Sequence, residues 1–308
     1  MEKVIIPKTD ILVSNICLGT NVFGWSADEQ MSKSILSDYL EKGGNFIDSA
    51  DKYVDWMPGN KGGESEVMIG NWLTETGNRE KVILATKIGK LPTRLGLSRA
   101  NIFAAVYDCL RRLQTDYIDI LYAHKDDQEV PLEESLIAFN DLIKSGKVRY
   151  IGASNYTATR LDEAILLSEK LGVASYVTIQ NEYNLLHRLE HETELLPVLK
   201  KHGISAIPFF GLAKGFLTGK YQPNVPSDSI RSETVKVYEN DRNWSIVENL
   251  TKLAMKKNSS NAAIALAWLI SRPGVITPVA SGKNLKQLNE IFQEVNLTSK
   301  ELDDLTNF

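Results

Sequence analysis

The stretch Gly43-Gly44-Asn45-Phe46-Ile47-Asp48-Ser49-Ala50-Asp51-Lys52-Tyr53 joins a short apolar run to a carboxylate and, five positions later, to a tyrosine. The apolar pair before Asp48 is predicted to end a buried strand, with Tyr53 in the loop beyond. Strand tips that carry a carboxylate and open into a polar loop are where α/β barrels place their chemistry. A single pair of this kind is more often a turn cap and loop packing. Two later strands that end on Lys87 and His124 favour a shared site instead.

Strand-like and helix-like segments alternate eight times along the chain, without a linker rich in Pro, Gly or Ser between them. This alternation is typical of an α/β fold of the (β/α)8 TIM barrel type, and we expect one such domain over residues 1–308, with an N-terminal β-hairpin. A doubly wound sheet is the alternative, but the turn at 19–24 lacks the dinucleotide-binding glycine pattern. The predicted strands are residues 16–18, 45–48, 81–87, 117–124, 148–153, 177–179, 204–207 and 276–280.

The composition argues against several classes of partner. Lysine plus arginine numbers 35 and aspartate plus glutamate 39, a net charge of -4, which gives no electrostatic reason to expect nucleic acid or an anionic membrane. The longest apolar run, 262–270, is too short to span a bilayer. Cys17 and Cys109 show no metal-ligand spacing, and the N-terminus lacks a signal-peptide pattern. We therefore expect a cytoplasmic protein without a metal site.

The carboxyl ends of parallel barrel strands form a single face, and adjacent strands lie about 4.8 Å apart. Asp48, Tyr53, Lys87 and His124 are therefore expected to cluster within hydrogen-bonding distance. Each residue alone has a structural explanation, such as a surface lysine or a satisfied core histidine. Four titratable groups at the ends of consecutive strands are harder to explain without a function, because their burial is costly in desolvation.

These four groups suit proton transfer at a carbonyl. A tyrosine hydroxyl has an ordinary pKa of about 10. A lysine beside it lowers that pKa, an aspartate holds the lysine, and a histidine can bind the carbonyl oxygen. The sequence shows no serine or cysteine elbow, no glycosidase carboxylate pair and no metal-ligand cluster. A nicotinamide cofactor is then the expected hydride source, and an aldolase with a Schiff base on Lys87 is an alternative.

Four motifs resemble those of the aldo-keto reductase superfamily, and the resemblance covers essentially the whole chain. They are residues 46–53, 84–87, 119–124 and 147–155, in the family's order. The resemblance implies an NADP(H)-dependent interconversion of a small-molecule carbonyl and an alcohol. Tyr53 would be the general acid, Lys87 and Asp48 would tune it, and His124 would orient the substrate.

The resemblance also places the cofactor across the last four barrel strands. Ser154, Asn155 and Gln180 would hold the nicotinamide carboxamide, since amide groups both donate and accept hydrogen bonds. A helix N-cap is the simpler role for the first two. Phe209 would stack on the nicotinamide ring, and 215–220 keeps the family's pyrophosphate-loop pattern. The implied cofactor residues are Thr20, Asn21, Asp48, Ser154, Asn155, Gln180, Phe209, Phe210, Gly211, Leu212, Lys214, Gly215, Lys220, Ser281, Gly282, Lys283 and Gln287.

The adenosine-phosphate segment, 278–288, departs most from the family pattern. Ser281, Gly282 and Lys283 precede a predicted helix N-terminus, which favours an anion, and Lys283 could pair with a 2′-phosphate. Gln287 stands where many NADP-specific members carry an arginine. This departure weakens the preference for NADP(H) and leaves NAD(H) as the alternative cofactor.

The substrate side also differs from the family pattern. Val54 stands where glycine is common, an insertion over 55–63 enlarges the next loop, and Trp25 and Trp56 could wall the pocket. Since the sequence ends at Phe308, we expect no long C-terminal loop that selects the substrate. Side chains that could bond the hydroxyls of a sugar or polyol are Asp51, Asp126, Asp127 and Asn181.

Two alternative functions share this fold: a nucleotide-sensing regulatory subunit, and an NAD-linked sugar or polyol dehydrogenase. The four intact catalytic candidates favour an enzyme. We expect a monomer or small homo-oligomer, and we expect the polar segment 223–243 to close over the cofactor. His187, His191 and His202 fit no site pattern and are predicted to lie on helix surfaces.

Overall fold

The chain folds around a sheet of parallel strands in the computed structural model, which describes residues 1–223, 225, 227, 229 and 231–307. An antiparallel hairpin precedes the sheet, and a second, smaller hairpin is formed by β6 and β7. The strands are β1 (Lys3–Ile5), β2 (Leu12–Ser14), β3 (Cys17–Gly19), β4 (Phe46–Asp48), β5 (Ile83–Ile88), β6 (Lys90–Leu91), β7 (Arg94–Leu95), β8 (Ile118–Ala123), β9 (Val148–Ser154), β10 (Tyr176–Gln180), β11 (Ser205–Ala206) and β12 (Val279–Ala280).

Hydrogen bonds close this sheet into a barrel. The strand order is β11-β10-β9-β8-β5-β4-β3-β12. Ile276 N donates to Ala206 O at 3.0 Å, and Val279 N donates to Pro208 O at 2.8 Å. Val279 of β12 also pairs with Cys17 of β3. The last strand therefore joins both edges of the sheet, and the predicted (β/α)8 barrel with its N-terminal hairpin is confirmed.

Amphipathic helices connect the strands, and short polar side chains cap several of them. Thr298 forms a capping box with Glu301, and Ser98 caps the helix that follows it. The helices are α1 (Glu29–Glu41), α2 (Glu64–Thr76), α3 (Arg99–Leu113), α4 (Leu132–Lys144), α5 (Ala158–Leu171), α6 (Leu196–His202), α7 (Ser232–Val235), α8 (Asp241–Lys257), α9 (Asn261–Ile270), α10 (Leu285–Ile291) and α11 (Ser299–Thr306).

Alternate strand positions fill the barrel interior, because successive side chains of a strand point to opposite faces. The interior cluster comprises Cys17, Phe46, Ala85, Ile120, Tyr122 and Ile207, with Ile6, Ile11 and Val13 from the hairpin. Ser14 N donates to Asn45 Oδ1 at 2.8 Å, just before β4, and Arg149 at the start of β9 pairs with Asp10. The hairpin thus covers the N-terminal ends of the strands and leaves the carboxyl ends open.

Proline determines where two elements begin. The last strand is shorter than 276–280, since Pro278 has no N–H to donate to the ladder. Before α6 the chain forms a π-helical turn, His191–Leu195, in which Leu196 N donates to His191 O. The next residue, Pro197, cannot donate the bond that an α-helical register requires there.

The polar segment 223–243 contains α7 and a 3₁₀ turn, Lys236–Tyr238. Residues 224, 226, 228, 230 and 308 lie outside the described part of the chain, so closure of this segment over a cofactor stays a prediction. Among the described residues, no helix is long and apolar enough to cross a membrane.

Candidate active site

The ammonium group of Lys87 lies at the centre of a buried polar cluster on the open face. Its Nζ donates to Asp48 Oδ2 at 2.6 Å, to Tyr53 Oη at 2.8 Å and to the carbonyl oxygen of Ser49 at 2.8 Å. These three bonds use all three of its donors. The side chains of Asp48 and Lys87 are each 1% exposed. The ion pair is therefore held in one arrangement and is shielded from solvent.

Neighbouring strands position the pair. Asp48 is the last residue of β4 and pairs in register with Ala85 of β5, so Lys87 lies two residues beyond it on the same face. The second carboxylate oxygen of Asp48, Oδ1, accepts a bond of 2.9 Å from Gln180 Nε2 across the barrel. Both oxygens of this buried carboxylate are thus hydrogen-bonded, as a buried charge requires.

Tyr53 meets the cluster from the loop after β4. Burial raises the pKa of its hydroxyl to about 12, and the Asp48 carboxylate also raises it, while the Lys87 ammonium acts the other way. Lys87 thus acts in the expected direction, but burial outweighs it, so the net shift of this pKa is upward. At neutral pH the hydroxyl is fully protonated and can donate a proton.

The same charges keep the Lys87 pKa above its ordinary value. Burial alone would lower that pKa, but Asp48 and Tyr53 outweigh burial. The lysine therefore remains a cation throughout the physiological pH range. A permanent cation 2.8 Å from the phenol oxygen stabilises negative charge that develops there.

His124 directly follows β8 and is 8% exposed, with its ring centroid 6.3 Å from that of Tyr53. Burial and the charges of Lys87, Lys90 and Lys52 hold its pKa well below the ordinary value. The imidazole is therefore neutral and carries a single N–H donor. Among the described residues, its Nδ1 has no hydrogen-bond partner. The expected histidine beside the tyrosine is thus present in a neutral form.

The loop that carries Tyr53 contains a strained residue. Val54 is fully buried and has φ of 66°, in the left-handed region. A β-branched side chain is rarely found there and costs on the order of 1–3 kcal/mol. This backbone conformation explains why glycine suits the position, as the family pattern suggested.

Asp51, in the same loop, is buried without a hydrogen bond to either carboxylate oxygen among the described residues. Burial raises its pKa to about 8, and the charge of Glu66 adds to this effect. Arg112 pairs with Glu66 at 2.7 Å rather than with Asp51. Asp51 is therefore mostly protonated at neutral pH.

We expect Asp51→Asn to raise the free energy of unfolding relative to the wild type, by an amount that grows with pH. The folded-state pKa lies above the unfolded value, so the wild type progressively loses stability as pH rises from about 4 to about 8. The difference between variant and wild type should grow by on the order of 2 kcal/mol between pH 6 and pH 8. Urea unfolding at both pH values measures it, with the exposed Asp303→Asn as control; a constant difference would contradict the prediction.

A cleft of about 960 Å³ opens above this cluster and extends across the barrel to α10. It is lined by fourteen of the residues that the sequence implied for a cofactor: Asn21, Ser154, Asn155, Gln180, Phe209, Phe210, Gly211, Leu212, Lys214, Gly215, Lys220, Ser281, Lys283 and Gln287. Within the described chain, no group of three or more His, Cys, Asp or Glu side chains could hold a metal ion.

Comparison with known proteins decides the family. The family model described as the Aldo/keto reductase family matches residues 15–308. The chain belongs to the aldo/keto reductase family. A protein of Arabidopsis thaliana named Probable voltage-gated potassium channel subunit beta is 33% identical, over 94% of this chain and 90% of its own length. The Uncharacterized oxidoreductase YrpG of Bacillus subtilis is 32% identical, over 97% and 92%. Norsolorinic acid reductase of Aspergillus flavus is 27% identical, over 100% and 81%.

Family membership makes the protein an aldo/keto reductase-type oxidoreductase at the level of class. Three residues implied for the cofactor do not line the cleft of this aldo/keto reductase: Thr20, Asp48 and Gly282. Thr20 is buried and donates to the carbonyl oxygen of Asp48 at 2.9 Å, so its hydroxyl joins strands β3 and β4. A Cβ at Gly282 would lie 3.0 Å from Leu288 N, which shows that this residue packs against α10.

At one end of the cleft, Ser154, Asn155 and Gln180 form a hydrogen-bonded group. Ser154 Oγ donates to the carbonyl oxygen of Gln180 at 2.8 Å, and Asn155 Nδ2 donates to Ser154 Oγ at 3.0 Å. Asn155 Nδ2 also reaches the carbonyl oxygen of His124 at 2.9 Å. These polar side chains therefore lie directly beside the Lys87 cluster.

The middle of the cleft has an unusual backbone. Phe210, Ala213 and Lys214 all have positive φ, of 53°, 46° and 56°, and Gly215 has φ of 99°. A Cβ on Gly215 would lie 3.2 Å from Lys220 Nζ, so the ammonium group reaches across this turn. Left-handed non-glycine residues concentrate at ligand clamps, and turns of this kind direct N–H groups toward anions.

At the far end, Lys283 and Gln287 contact each other. The backbone N–H of Lys283 donates to Gln287 Oε1 at 3.0 Å, and Asn284 caps the seven-residue helix α10. Gln287, which stands where many NADP-specific members carry an arginine, thus already accepts a hydrogen bond from one of the backbone N–H groups expected to bind an anion. The Lys283 side chain still faces the cleft.

Several cleft residues were not predicted from the sequence. These additional lining residues are all charged: Lys52, Lys90, Arg231, Lys286 and Glu182. Lys90 lies just past the end of β5, three residues beyond Lys87. Its position at the end of a strand could have indicated from the sequence that it belongs to the site. Nothing in the local sequence around Arg231 indicated a site. Of the two tryptophans predicted to wall the pocket, Trp56 lines the cleft, whereas Trp25 packs edge to face against it at 5.8 Å.

Other sequence-based expectations are wrong. The side chains suggested for sugar hydroxyls do not line the cleft: Asp51, Asp126, Asp127 and Asn181. Asp126 instead pairs with Arg160 at 2.9 Å. His191 is buried against Tyr183 with ring centroids 3.9 Å apart, and His202 is buried at 2.6 Å from Asp162, so neither lies on a helix surface. Their burial depends on contacts with distant elements, which helical periodicity alone does not reveal.

Proposed function

We propose that this protein is an NADP(H)-dependent oxidoreductase that interconverts aldehydes or ketones and alcohols. The observation that carries the proposal is the contact of Lys87 with both Asp48 and Tyr53 beneath an elongated cleft. A protonated phenol next to a permanent cation is suited to give a proton to a carbonyl oxygen and to hold the resulting negative charge.

The roles of the four residues follow from their surroundings. In the direction of reduction, Tyr53 Oη donates its proton to the carbonyl oxygen while Lys87 stabilises the phenolate. Asp48 keeps the ammonium in position and balances its charge in the buried site. His124, held neutral, is available to donate its single N–H to the same carbonyl oxygen. In the direction of oxidation the phenolate takes the proton from the alcohol.

The residues of the cleft support a dinucleotide as the cofactor, and a nicotinamide would supply or accept hydride when bound. Ser154, Asn155 and Gln180 offer the donors and acceptors that a carboxamide needs, next to the proton-transfer groups. The turn at Gly215 with Lys220 above it suits a pyrophosphate. Lys283, at the far end, suits a 2′-phosphate, which favours NADP(H) over NAD(H).

We expect protein fluorescence to be quenched by NADPH at a concentration at least about tenfold lower than by NADH, the factor expected of one charge-assisted contact. Lys283→Ala should reduce this ratio, while the exposed Lys300→Ala should leave it unchanged. Comparable binding of both cofactors would favour an NAD-linked dehydrogenase. Absence of binding by either cofactor would overturn the proposed function.

A nucleotide-sensing regulatory subunit is the second candidate, because a relative of this chain is named as a potassium channel β subunit. Such a protein would bind the dinucleotide but act mainly on a partner, without repeated cycles of carbonyl reduction. Steady-state NADPH consumption with a panel of aldehydes separates the two candidates, since only the enzyme completes many cycles.

A further inference from the structure

The cleft is strongly cationic, although the chain as a whole is acidic. Among the described residues that line it, two side chains are carboxylates, Glu182 and Glu290, and Glu182 already accepts a bond from the Tyr238 hydroxyl at 2.8 Å. The cationic lining residues are Lys52, Lys87, Lys90, Lys214, Lys220, Arg231, Lys283 and Lys286. An anionic dinucleotide would account for those near the middle and far end of the cleft.

The cations at the substrate end need another explanation. Lys90 follows β5, and β5 is the neighbour of β4, the strand that carries Asp48. Lys90 therefore lies on the side of the barrel opposite the strands implied for the cofactor. Lys90 lines the same cleft as Tyr53 and His124, and its charge contributes to the lowered pKa of His124. Within the described chain, Lys90 has no carboxylate within ion-pair distance. Lys52, beside it, pairs with Asp55 at 2.7 Å.

Lys90 therefore sits in an unfavourable position when no anion is present. It is half-buried, and burial together with the charges of Lys52, Lys125 and Lys87 lowers its pKa. A lysine surrounded by other lysines, without a compensating carboxylate, is destabilising unless a ligand supplies negative charge. Arg231, which faces the same cleft, also has no ion pair among the described residues and stacks on Trp25 at 5.2 Å.

We infer that the substrate carries an anionic group, a carboxylate or a phosphate, in addition to its carbonyl, and that Lys90 binds this group at the mouth of the cleft. The inference rests on the proposed function and specifies its substrate class. The carbonyl lies over Tyr53 and His124, the body of the molecule passes the Trp25–Trp56 wall, and the anion meets Lys90. Arg231, stacked on that wall, offers a second cation to the same group.

The kinetic test uses pairs of aldehydes that differ in charge. At saturating NADPH, kcat/KM is measured for 4-carboxybenzaldehyde and 4-methylbenzaldehyde, and for D-glyceraldehyde 3-phosphate and D-glyceraldehyde. We expect the anionic member of at least one pair to be preferred by about tenfold or more, the factor of one charge-assisted hydrogen bond. The pair that shows the preference identifies the anion as carboxylate or phosphate. Equal values in both pairs would overturn the inference.

Variants assign the preference to Lys90. Lys90→Met should lower the anionic-to-neutral ratio about tenfold, mainly through KM, because the contact is made to bound substrate and not only in the transition state. Lys90→Arg should keep most of the preference, and the exposed Lys125→Met, which changes the charge without facing the cleft, should keep nearly all of it. A ratio unchanged in Lys90→Met would overturn the assignment.

A binding measurement separates failure of this inference from failure of the proposed function. Quenching of tryptophan fluorescence by 4-carboxybenzyl alcohol and by 4-methylbenzyl alcohol requires no turnover. Tighter binding of the carboxylate, lost in Lys90→Met, would support the anion site even if no aldehyde were reduced. Equal binding of both alcohols alongside normal aldehyde reduction would overturn the anion site and leave the oxidoreductase proposal intact.

Discussion

Tyr53→Phe is expected to lower kcat for carbonyl reduction by about 10³-fold, within the range typical of a general acid. The variant loses only the hydroxyl that Lys87 contacts at 2.8 Å. The phenyl ring can still occupy the same space, and Lys87 keeps its ion pair with Asp48. The loss should therefore appear in the chemical step and not in folding. Single-turnover oxidation of NADPH with an aldehyde measures it directly.

The control for Tyr53→Phe is cofactor binding, which should remain within a few-fold of the wild type because Tyr53 lies at the substrate end of the cleft. A variant that retained most of its reductase activity would move the proton donor to another group, with His124 the nearest candidate. Loss of NADPH binding would instead show that the substitution had disturbed the cleft as a whole.

The pH dependence follows from the raised pKa of Tyr53, which is about 12. The hydroxyl stays protonated across the neutral range, so this group should leave the rate of reduction constant between pH 6 and about 10. Oxidation needs the deprotonated form, so its rate should rise with pH over the same range. The rise of the oxidation rate with pH should disappear in Tyr53→Phe.

Lys87→Met should cost stability as well as activity. Removal of the ammonium leaves the Asp48 carboxylate buried, with Gln180 and Tyr53 as its remaining side-chain partners. Loss of one member of a buried ion pair costs about 3–5 kcal/mol. The phenolate of Tyr53 would also lose its stabilising cation. Urea unfolding and steady-state reduction of an aldehyde measure the two effects separately.

The double variant Asp48→Asn with Lys87→Met serves as the matched control. It removes both charges together, so no unpaired charge stays buried, and replacement of a buried pair by neutral groups is often tolerated. We expect this variant to recover most of the stability lost in Lys87→Met but none of the activity. Equal stability of the single and double variants would show that the unpaired carboxylate is not the cause of the loss.

The fold was predictable because its signals are local. Each strand reads as a short apolar run and most helices show an apolar face, so their alternation predicts the barrel without knowledge of contacts. Asp48 and Lys87 could be assigned to one site for the same reason, since the ends of parallel strands meet on one face whatever the loops do. The proline effects at Pro278 and Pro197 shifted element ends but not element order.

What the sequence could not reveal depends on burial and on distant neighbours. The net rise in the Tyr53 pKa comes from desolvation that exceeds the effect of Lys87, and a sequence pattern does not weigh these two terms. Asp51 looked like a possible hydroxyl ligand, yet its carboxylate is buried beside Glu66. Lys90 could not be assigned to the site from the sequence, because only the three-dimensional arrangement shows that it lacks a counter-ion among the described residues.

The joining of β12 to β3 has a consequence for how the protein reaches its native state. Residues 17 and 279 pair, although they come from opposite ends of the chain. During synthesis, one edge of β3 therefore stays uncovered until nearly the whole polypeptide has been made. Contacts between such distant residues slow folding, and exposed strand edges promote association with other chains. Shortening the chain before residue 279 should yield nascent molecules that depend on chaperones and aggregate when released.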